Sequence, residues 1–266
     1  LTRVDPATGR PTGRPAGVGP SPLALATGEG SVWVLDARDG VRRVDPRTGQ
    51  PTGRAVPVTD PVGIAAGQGG VWVTSRSSRS VTRIDPASLR ADPPIRLGAG
   101  PADVAIAGGS VWVAESDAGS LRRVDPRTGK AVPPLKLGDG QLLALTAGDG
   151  GLWAAVSESP LSNEDLRLAR VDARKGTTAG APIRLPGGVP LALAAGKDSV
   201  WATDVGSAIP GTPERAPGLV RVVPGAERPV SRAASVAGRP AGVAVGFGAV
   251  WVTDSTRGTL TRVELR

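Results

Sequence analysis

Acidic residues recur at one position relative to the tryptophans of this chain, three residues after a Trp. They are Asp36, Glu115, Asp204 and Asp254, while Ser75 and Val156 hold the same place in the other two repeats. Carboxylates that meet at one place can bind a divalent cation or serve in acid–base catalysis. Two interpretations are open: the side chains cap the loops that follow them, or they line a site for a polar ligand or a weakly held cation.

Arginines close to these positions would neutralise part of the acidic charge. They are Arg38, Arg76, Arg79 and Arg257. The second strand of a repeat should end at the face that also carries the loops between repeats, so these side chains are expected at one mouth. The predicted ligand-binding residues are Asp36, Ser75, Glu115, Asp204, Asp254, Arg76 and Arg257. The expected partner is a small molecule, a protein or a cell-wall ligand at this loop face.

Several kinds of chemistry are missing from the chain. It contains no Cys and no His, which removes the usual nucleophile–base pairs and any histidine-based metal site. No phosphate-binding loop or zinc-binding helix motif occurs. We therefore predict no catalytic residue, no cofactor and no enzymatic activity. Without Cys, the residue content leaves the redox compartment open.

The charge balance is basic, with 32 Lys and Arg against 24 Asp and Glu and a net charge of +8. The arginines fall at repeated positions and form no run, so specific nucleic-acid binding is not expected. No segment is apolar enough to span a membrane, and no signal peptide is present. Because position 1 is Leu1 and not Met, we expect an excised segment of a longer protein, with any membrane anchor outside it.

The elements that position these residues come from a repeat. Six tryptophans stand in similar apolar runs, 39 to 50 residues apart; they are Trp33, Trp72, Trp112, Trp153, Trp201 and Trp251. Gly and Pro punctuate each repeat into four short strands, and a Pro-containing fourth strand suits only a sheet edge. Four strands in about 40 residues are typical of one propeller blade. The sequence predicts an all-β, six-bladed β-propeller with four antiparallel strands per blade, as a single domain over residues 1–266.

Two recurrent residue types have structural explanations in such a repeat. Asp5, Asp45, Asp85 and Asp125 each precede a Pro after the third strand, where an Asp side chain accepts backbone amides and Pro presets the turn. Each Trp sits mid-strand in an apolar run, once per repeat. We expect all six to pack between neighbouring blades and not to form a stacking platform for a ligand.

Three motifs resemble a known repeat class. They are Val-Trp-Val-Thr-Asp at 250–254, Arg-Val-Asp-Pro-Arg-Thr-Gly at 43–49 and Pro-Ala-Gly-Val-Ala-Val-Gly at 240–246. They look like the NHL- and YVTN-type propeller repeats of actinomycete bacteria, a group that includes the virginiamycin B lyase family and the extracellular sensor domains of receptor serine/threonine kinases. The resemblance covers nearly the whole chain and implies an extracellular sensor or interaction domain of a membrane-anchored protein.

One member of this group, the lyase family, has an enzymatic activity whose catalytic residue can be looked for in this sequence. Members of that family use a catalytic His with bound magnesium, and this chain has no His, so the activity is not carried over. The expected function is non-catalytic binding of a ligand or protein. The alternative is a lyase or hydrolase that uses carboxylates and a divalent ion.

Two further expectations concern loops and termini. The fourth and fifth repeats carry longer segments at 157–167 and 205–218, where a partner is expected to bind because loops on a rigid scaffold carry functional variation. Residues 1–4 and 260–263 share the sequence Leu-Thr-Arg-Val. We expect 260–263 to form the third strand of the last blade, and residues 14–18 to close that blade as its outer strand.

Overall fold

The computed structural model describes residues 1–148, 151–157, 166–185, 192–206, 216–225, 230–236 and 238–265. The chain divides into two compact units, Leu1–Leu135 and Lys136–Arg266, and each unit is built from antiparallel sheets. Among the described residues, no helix has the length and apolar character needed to cross a membrane.

The first unit begins with a two-stranded hairpin and continues with three four-stranded sheets. The N-terminal hairpin is β1 (Arg3–Val4) and β2 (Pro11–Thr12). Blade one is β3 (Pro22–Gly28), β4 (Ser31–Asp36), β5 (Gly40–Val44) and β6 (Pro51–Val56). Blade two is β7 (Pro61–Gly67), β8 (Gly70–Ser75), β9 (Ser80–Ile84) and β10 (Ile95–Arg96). Blade three is β11 (Pro101–Ala107), β12 (Ser110–Glu115), β13 (Ser120–Val124) and β14 (Leu135–Lys136), with a 3₁₀ turn at Ser116–Ala118.

The second unit contains three more sheets. Blade four is β15 (Gln141–Gly148), β16 (Gly151–Ser157), β17 (Leu166–Asp172), β18 (Thr177–Thr178) and β19 (Ile183–Arg184), and the last two strands both pair with β17. Blade five is β20 (Leu193–Ala195), β21 (Val200–Asp204), β22 (Gly218–Val222) and β23 (Val230–Ser235). Blade six is β24 (Pro240–Gly246), β25 (Ala249–Asp254) and β26 (Thr259–Glu264).

Each of the six sheets pairs strands that follow one another in the chain. Such meanders, repeated with one Trp each, are the blades of a six-bladed β-propeller. The predicted fold class is therefore confirmed. The number of strands varies because the fourth strand of blade four is split in two, while the sheet of blade six has three strands among the described residues.

The second strand of each blade alternates its side chains between two neighbours. Trp33 of blade one packs against Ile64, Val71 and Val73 of blade two. In the same way, Trp72 of blade two packs against Val104, Val111 and Val113 of blade three. The second unit repeats the arrangement, with Trp153 and Trp201 against the next blade in sequence. Blades one, two, four and five thus place their Trp on the apolar face of the blade that follows.

Burial of the tryptophans supports the packing interpretation. Trp33, Trp72, Trp112, Trp153 and Trp201 are between 0 and 4% exposed. Trp251 of blade six is half-buried. The prediction that the tryptophans are core residues is confirmed for five of the six, and Trp251 departs from it.

An arginine on the third strand stands opposite each Trp. The pairs are Trp33–Arg43, Trp72–Arg83, Trp112–Arg123, Trp153–Arg170, Trp201–Arg221 and Trp251–Arg262. In the last four pairs the guanidinium lies 5.4 to 5.9 Å from the ring centroid, within the range of a cation–π contact. Six of the basic residues are therefore part of the framework, which explains why a chain of net charge +8 has no continuous basic run.

The prediction that residues 14–18 form an outer strand is wrong. Those residues form no strand, and the amine and carbonyl of Leu1 exchange hydrogen bonds with the carbonyl and amide of Ala16. Val18 is buried against Val34 and Val44 of blade one. Local pairing with Leu1 holds the segment in the N-terminal hairpin. Residues 260–263 do occupy the third strand of the last blade, as predicted, with Arg262 opposite Trp251.

Candidate functional site

The residues three positions after each Trp lie at the end of the second strand. The loop that enters the first strand of the same blade reaches this end too, because Pro22, Pro61, Pro101 and Pro240 pair with Asp36, Ser75, Glu115 and Asp254. This end of each blade is the loop face. The five polar residues of the set, namely Asp36, Ser75, Glu115, Asp204 and Asp254, are all buried, at 0 to 4% exposure.

Asp36 binds backbone amides on both sides of its strand. Its Oδ1 accepts the amides of Arg38 and Asp39, at 2.9 and 3.0 Å, and its Oδ2 accepts the amide of Ser21 at 2.6 Å. Burial raises the pKa of Asp36, but the three amides outweigh it and hold the pKa below its ordinary value. Gly19 lies against this carboxylate with φ +133°, and a Cβ there would stand 2.3 Å from Oδ2. Asp36 therefore fastens the incoming loop to the turn after the second strand.

Asp254 makes the same fastening in blade six. Its Oδ1 accepts the amides of Arg239, Thr256 and Arg257 and the hydroxyl of Thr256. The Thr256 hydroxyl lowers the pKa of Asp254 most, burial raises it, and the amides lower it further, to about 2. As in blade one, a glycine is pressed against the acid, since a Cβ on Gly238 would clash with the Asp254 carboxylate.

Glu115 is held by an arginine as well as by an amide. Arg122 Nε donates to Oε1 at 2.7 Å and Nη2 donates to Oε2 at 3.1 Å, a two-point ion pair. Oε1 also accepts the Gly98 amide, and Oε2 accepts the Ser120 hydroxyl. The Glu115–Arg122 pair was not found from the sequence. The sequence of β13 shows two consecutive arginines, Arg122 and Arg123, and this does not indicate which of them has a buried partner.

Blade two replaces the acid by a network of hydroxyl groups. Ser75 donates to the Thr59 carbonyl, and Ser78 donates to Ser75 Oγ at 2.8 Å and lies 2.6 Å from Ser80 Oγ. The amide of Ser77 donates to Asp60 Oδ2. The base of this loop therefore carries no carboxylate at the position that is acidic in four other blades.

In blade five the carboxylate also caps its own turn, because Asp204 Oδ1 accepts the Gly206 amide at 2.9 Å. The segments at 157–167 and 205–218, where a partner is expected to bind, lie outside the described residues except at their ends. Their role stays a prediction.

The arginines of the predicted set differ from the acids in exposure. Arg76 and Arg257 are both exposed, as are Arg38 and Arg79. Arg79 has a φ of +46°, a left-handed conformation that turns the loop 75–80 back on itself. Within the described residues, no carboxylate forms a salt bridge with Arg76 or Arg79. The loop 75–80 therefore presents two free cations on the surface.

Across the described residues, no group of three or more acidic side chains comes close enough together to bind a metal ion. The predicted acids are separated by blade, and each accepts hydrogen bonds from its own local donors, although Oδ2 of Asp254 is buried without a partner among those residues. Of the two interpretations that the sequence leaves open, loop capping accounts for the contacts of Asp36, Asp204 and Asp254, while Glu115 is an ion-paired structural acid.

The opposite end of blades one to three carries an Asp-Pro turn, and so does the N-terminal hairpin. Asp5, Asp45, Asp85 and Asp125 each accept two backbone amides two and three residues later, as the sequence predicts. Asp172 makes the same turn without Pro. Hydrogen bonds from these amides lower the pKa of all five carboxyls.

These lowered pKa values predict loss of stability in acid. The unfolded chain takes up protons near the ordinary Asp pKa of about 3.9, before the folded chain does, so stability rises with pH in this window. We expect the urea midpoint to be level from neutral pH to about pH 5 and to fall steadily between about pH 4 and pH 2. Urea titrations followed by circular dichroism at stepped pH would measure this. Asp254→Asn should flatten the fall, and an unchanged slope in that variant would contradict the assignment to Asp254.

Comparisons with known proteins agree with the fold. No protein-family model matches the chain, and no curated protein matches its sequence. Among solved structures, hydrazine synthase of Kuenenia stuttgartiensis superposes with a TM-score of 0.78 at 16% identity, over 95% of this chain and 79% of that chain. The Pan2 WD40 domain of Neurospora crassa gives 0.70 at 10% identity, over 92% and 75%.

A third similar structure is the extracellular domain of a candidate one-component system from B. thetaiotaomicron. Its TM-score is 0.64 at 14% identity, over 90% of this chain and 34% of that chain. At these identities the likeness shows the propeller fold alone.

Proposed function

We propose that this propeller is a non-catalytic binding module whose loop face takes an acidic ligand, such as a carboxylate-rich segment of a protein or cell-wall polymer. The observation that carries the proposal is the loop 75–80, which exposes Arg76 and Arg79 and has no acidic residue of its own. Arg38 on the neighbouring loop of blade one adds a third exposed cation.

The acidic side chains already accept hydrogen bonds within the protein, which supports a binding role over catalysis. A general acid or base needs an oxygen that can reach a substrate. The oxygens of Asp36 and Glu115 already accept backbone amides, an arginine or hydroxyls at hydrogen-bond distance. The alternative of a carboxylate- and metal-dependent lyase would require these contacts to be broken.

Differences between loops favour this face over the opposite one. At the Asp-Pro end, the turns repeat nearly the same residues, as in Asp45-Pro46-Arg47-Thr48-Gly49 and again at 125–129. At the loop face, the corresponding segments differ from blade to blade. Some contain an acidic residue, some are rich in Ser and Arg, and some contain Thr. Repeated turns serve the scaffold, whereas loops that differ from blade to blade on a rigid scaffold are suited to recognition.

The finer proposal is an extracellular sensor or interaction domain of a bacterial membrane-anchored protein, such as a receptor serine/threonine kinase. It rests on the resemblance of the repeats to NHL- and YVTN-type propellers, and it is supported by the propeller fold shared with an extracellular domain. The domain content of the full-length parent gene would test it directly. A parent without a membrane-spanning segment would contradict it.

Binding of an acidic probe tests the site itself. A fluorescent polyglutamate peptide titrated at low ionic strength should bind the wild-type chain, and Arg76→Gln/Arg79→Gln should weaken the Kd about threefold to thirtyfold, the range for loss of two exposed ionic contacts. Raising the salt concentration should weaken wild-type binding more than binding of the variant.

A matched control removes the same charge from the other end. Arg47 and Arg90 are exposed at the Asp-Pro end of blades one and two, and Arg47→Gln/Arg90→Gln should leave the Kd within about twofold because those side chains lie outside the site. Equal weakening by both double variants would show that the peptide senses only net charge, and the proposed site would then be wrong.

A further inference from the structure

A cleft of about 220 Å³ opens between blades four and five, at the end of these blades that is opposite the loop face. Blade four supplies Trp153 and Arg170 to its wall. Blade five supplies the turn 196–199 between β20 and β21, then Val200, and the pair Val223-Pro224 that follows β22. All of these residues belong to the second compact unit. The volume is below that of pockets for drug-sized ligands, so the cleft suits a smaller molecule.

The guanidinium of Arg170 stands at this cleft without a charge partner. It lies 5.4 Å from the ring centroid of Trp153. Among the described residues it donates to no acceptor and forms no ion pair. The matching Arg43 of blade one donates to Thr52 Oγ1 and to the carbonyl of Pro86 in the next blade. Arg170 therefore keeps the hydrogen-bonding capacity that Arg43 uses within the protein.

The indole N–H of Trp153 is a second donor without an acceptor. In blades one, two and six the matching N–H donates to the carbonyl of the glycine five residues earlier, namely Gly28, Gly67 and Gly246. Trp153 makes no such bond to any residue that the structure describes, although its side chain is only 4% exposed. Buried polar groups are nearly always hydrogen-bonded, so this donor on the wall of a cleft points to an acceptor that the chain does not supply.

The hydroxyl of Ser199 is a third polar group of this kind. Ser199 is 7% exposed, and within the described part of the chain its hydroxyl has no partner. The matching Ser110 of blade three accepts from Nε of Arg123 at 2.8 Å. In blade five the corresponding arginine is Arg221, and its Nε is buried without a partner among the described residues. Ser199 is therefore available to a ligand in the cleft.

The charge of the cleft is positive because blade five lacks an acid that other blades carry. An Asp follows the third strand in blades one to four, and Val223 holds that place in blade five. Of the residues that line the cleft, Arg170 and Lys197 carry two positive charges and Asp198 carries one negative charge, which leaves a net charge of +1. This balance favours an anion of a single charge over a dianion.

We propose that the cleft binds a small organic monocarboxylate. The two carboxylate oxygens together accept up to about four hydrogen bonds, and the donors on the wall are Arg170, Lys197, Ser199 and the N–H of Trp153. Val223 and Pro224 supply an apolar surface for the body of the ligand. A few converging polar groups beside apolar side chains are typical of a small-molecule site. This site is separate from the loop face and goes beyond the function proposed for it.

Benzoate tests the site, and benzamide serves as an uncharged molecule of nearly the same shape. Each indole N–H gives its own resonance in a ¹H–¹⁵N spectrum, and Trp153→Phe identifies the resonance of Trp153. We expect benzoate to shift this resonance more than that of any other Trp and to bind with a Kd on the order of 1 mM, as is usual for so small a ligand. Benzamide should bind at least about tenfold more weakly, because it forms no charge-assisted hydrogen bonds.

Two variants make the test specific. Arg170→Gln should weaken benzoate binding at least about tenfold, whereas its counterpart Arg43→Gln and the loop-face variant Arg76→Gln/Arg79→Gln should leave the Kd within about twofold. Val223→Asp gives blade five the acid of the other blades, and its charge should also weaken binding at least about tenfold. Because four blades carry Asp at that position, this variant should keep its Tm within about 5 °C of the wild-type value.

Four results would overturn the proposal. Benzoate could leave the Trp153 resonance unchanged up to about 50 mM, well above the expected Kd. Arg170→Gln and a folded Val223→Asp variant could both bind benzoate as tightly as the wild-type chain does. Benzamide could bind as tightly as benzoate, which would make the cleft an apolar pocket without recognition of charge. Inorganic phosphate could displace benzoate at a lower concentration than acetate does, which would assign the cleft to inorganic anions.

Discussion

Trp72→Ala is expected to lower the free energy of unfolding by about 3–5 kcal/mol, the usual cost of removing a large buried aromatic side chain. Trp72 is 1% exposed and packs on Val104, Val111 and Val113 of the following blade. Its indole N–H donates to the Gly67 carbonyl at 3.3 Å. The substitution would leave a cavity between two blades and an acceptor without its donor. Urea unfolding followed by far-ultraviolet circular dichroism would measure the change.

Trp251→Ala is the matched control for this prediction. Trp251 donates to the Gly246 carbonyl at 3.2 Å and lies beside Arg262, so its contacts within its own blade resemble those of Trp72. It is half-buried, however, and so removes less apolar surface from water. We expect a loss about half that of Trp72→Ala. Equal losses at the two positions would show that burial between blades is not what makes Trp72 important.

Arg122→Met is expected to cost about 3 kcal/mol, because it leaves the buried Glu115 carboxylate without its cation. Glu115 is 1% exposed and receives two hydrogen bonds from Arg122. The Gly98 amide and the Ser120 hydroxyl would still bind it, and these contacts limit the loss. The double variant Glu115→Gln/Arg122→Met should recover a large part of the stability, since no charge then remains buried. Urea midpoints of the three variants at neutral pH would measure this coupling.

Arg42 provides the control at the same position of blade one. Its guanidinium lies 3.7 Å from Asp39, and both side chains are partly in water. An exposed pair of this kind contributes little, so Arg42→Met should cost less than about 1 kcal/mol. If Arg42→Met and Arg122→Met were equally costly, or if the double variant were no more stable than Arg122→Met, burial of Glu115 would not be the source of the effect.

Much of the fold could be predicted because each repeat depends on interactions between residues that are close in sequence. The run Val71-Trp72-Val73 alternates on a strand, and the glycines that precede it at Gly69 and Gly70 favour a tight turn. Six copies of that pattern are sufficient for the blade count and for the burial of most tryptophans. The Asp-Pro turns were equally predictable, since Asp45 reaches amides only two and three residues away.

For the candidate site, the sequence predicted where the residues lie on their strands but not which groups they contact. The spacing after each Trp correctly places Asp36, Ser75, Glu115 and Asp254 at the end where the loop enters the blade. Their partners could not be read from the spacing, because they come from separate segments. Asp36 accepts from Ser21, fifteen residues earlier, and Glu115 accepts from Gly98, seventeen residues earlier. The free cations of the loop 75–80 stand out only once these acids are known to be occupied.

By itself, then, the sequence determined the strand pattern, the turns and the number of blades, since each depends on contacts within a few residues or on a period that repeats. Only the tertiary structure decided which charges are committed and which are free, and what the N-terminal copy of Leu-Thr-Arg-Val pairs with. Leu1 and Leu260 begin identical strands, and local propensity cannot distinguish them. The distinction comes from what each strand packs against: β26 pairs with its own Trp251 strand, while β1 pairs with β2 and, through Leu1 and Ala16, holds Val18 on blade one.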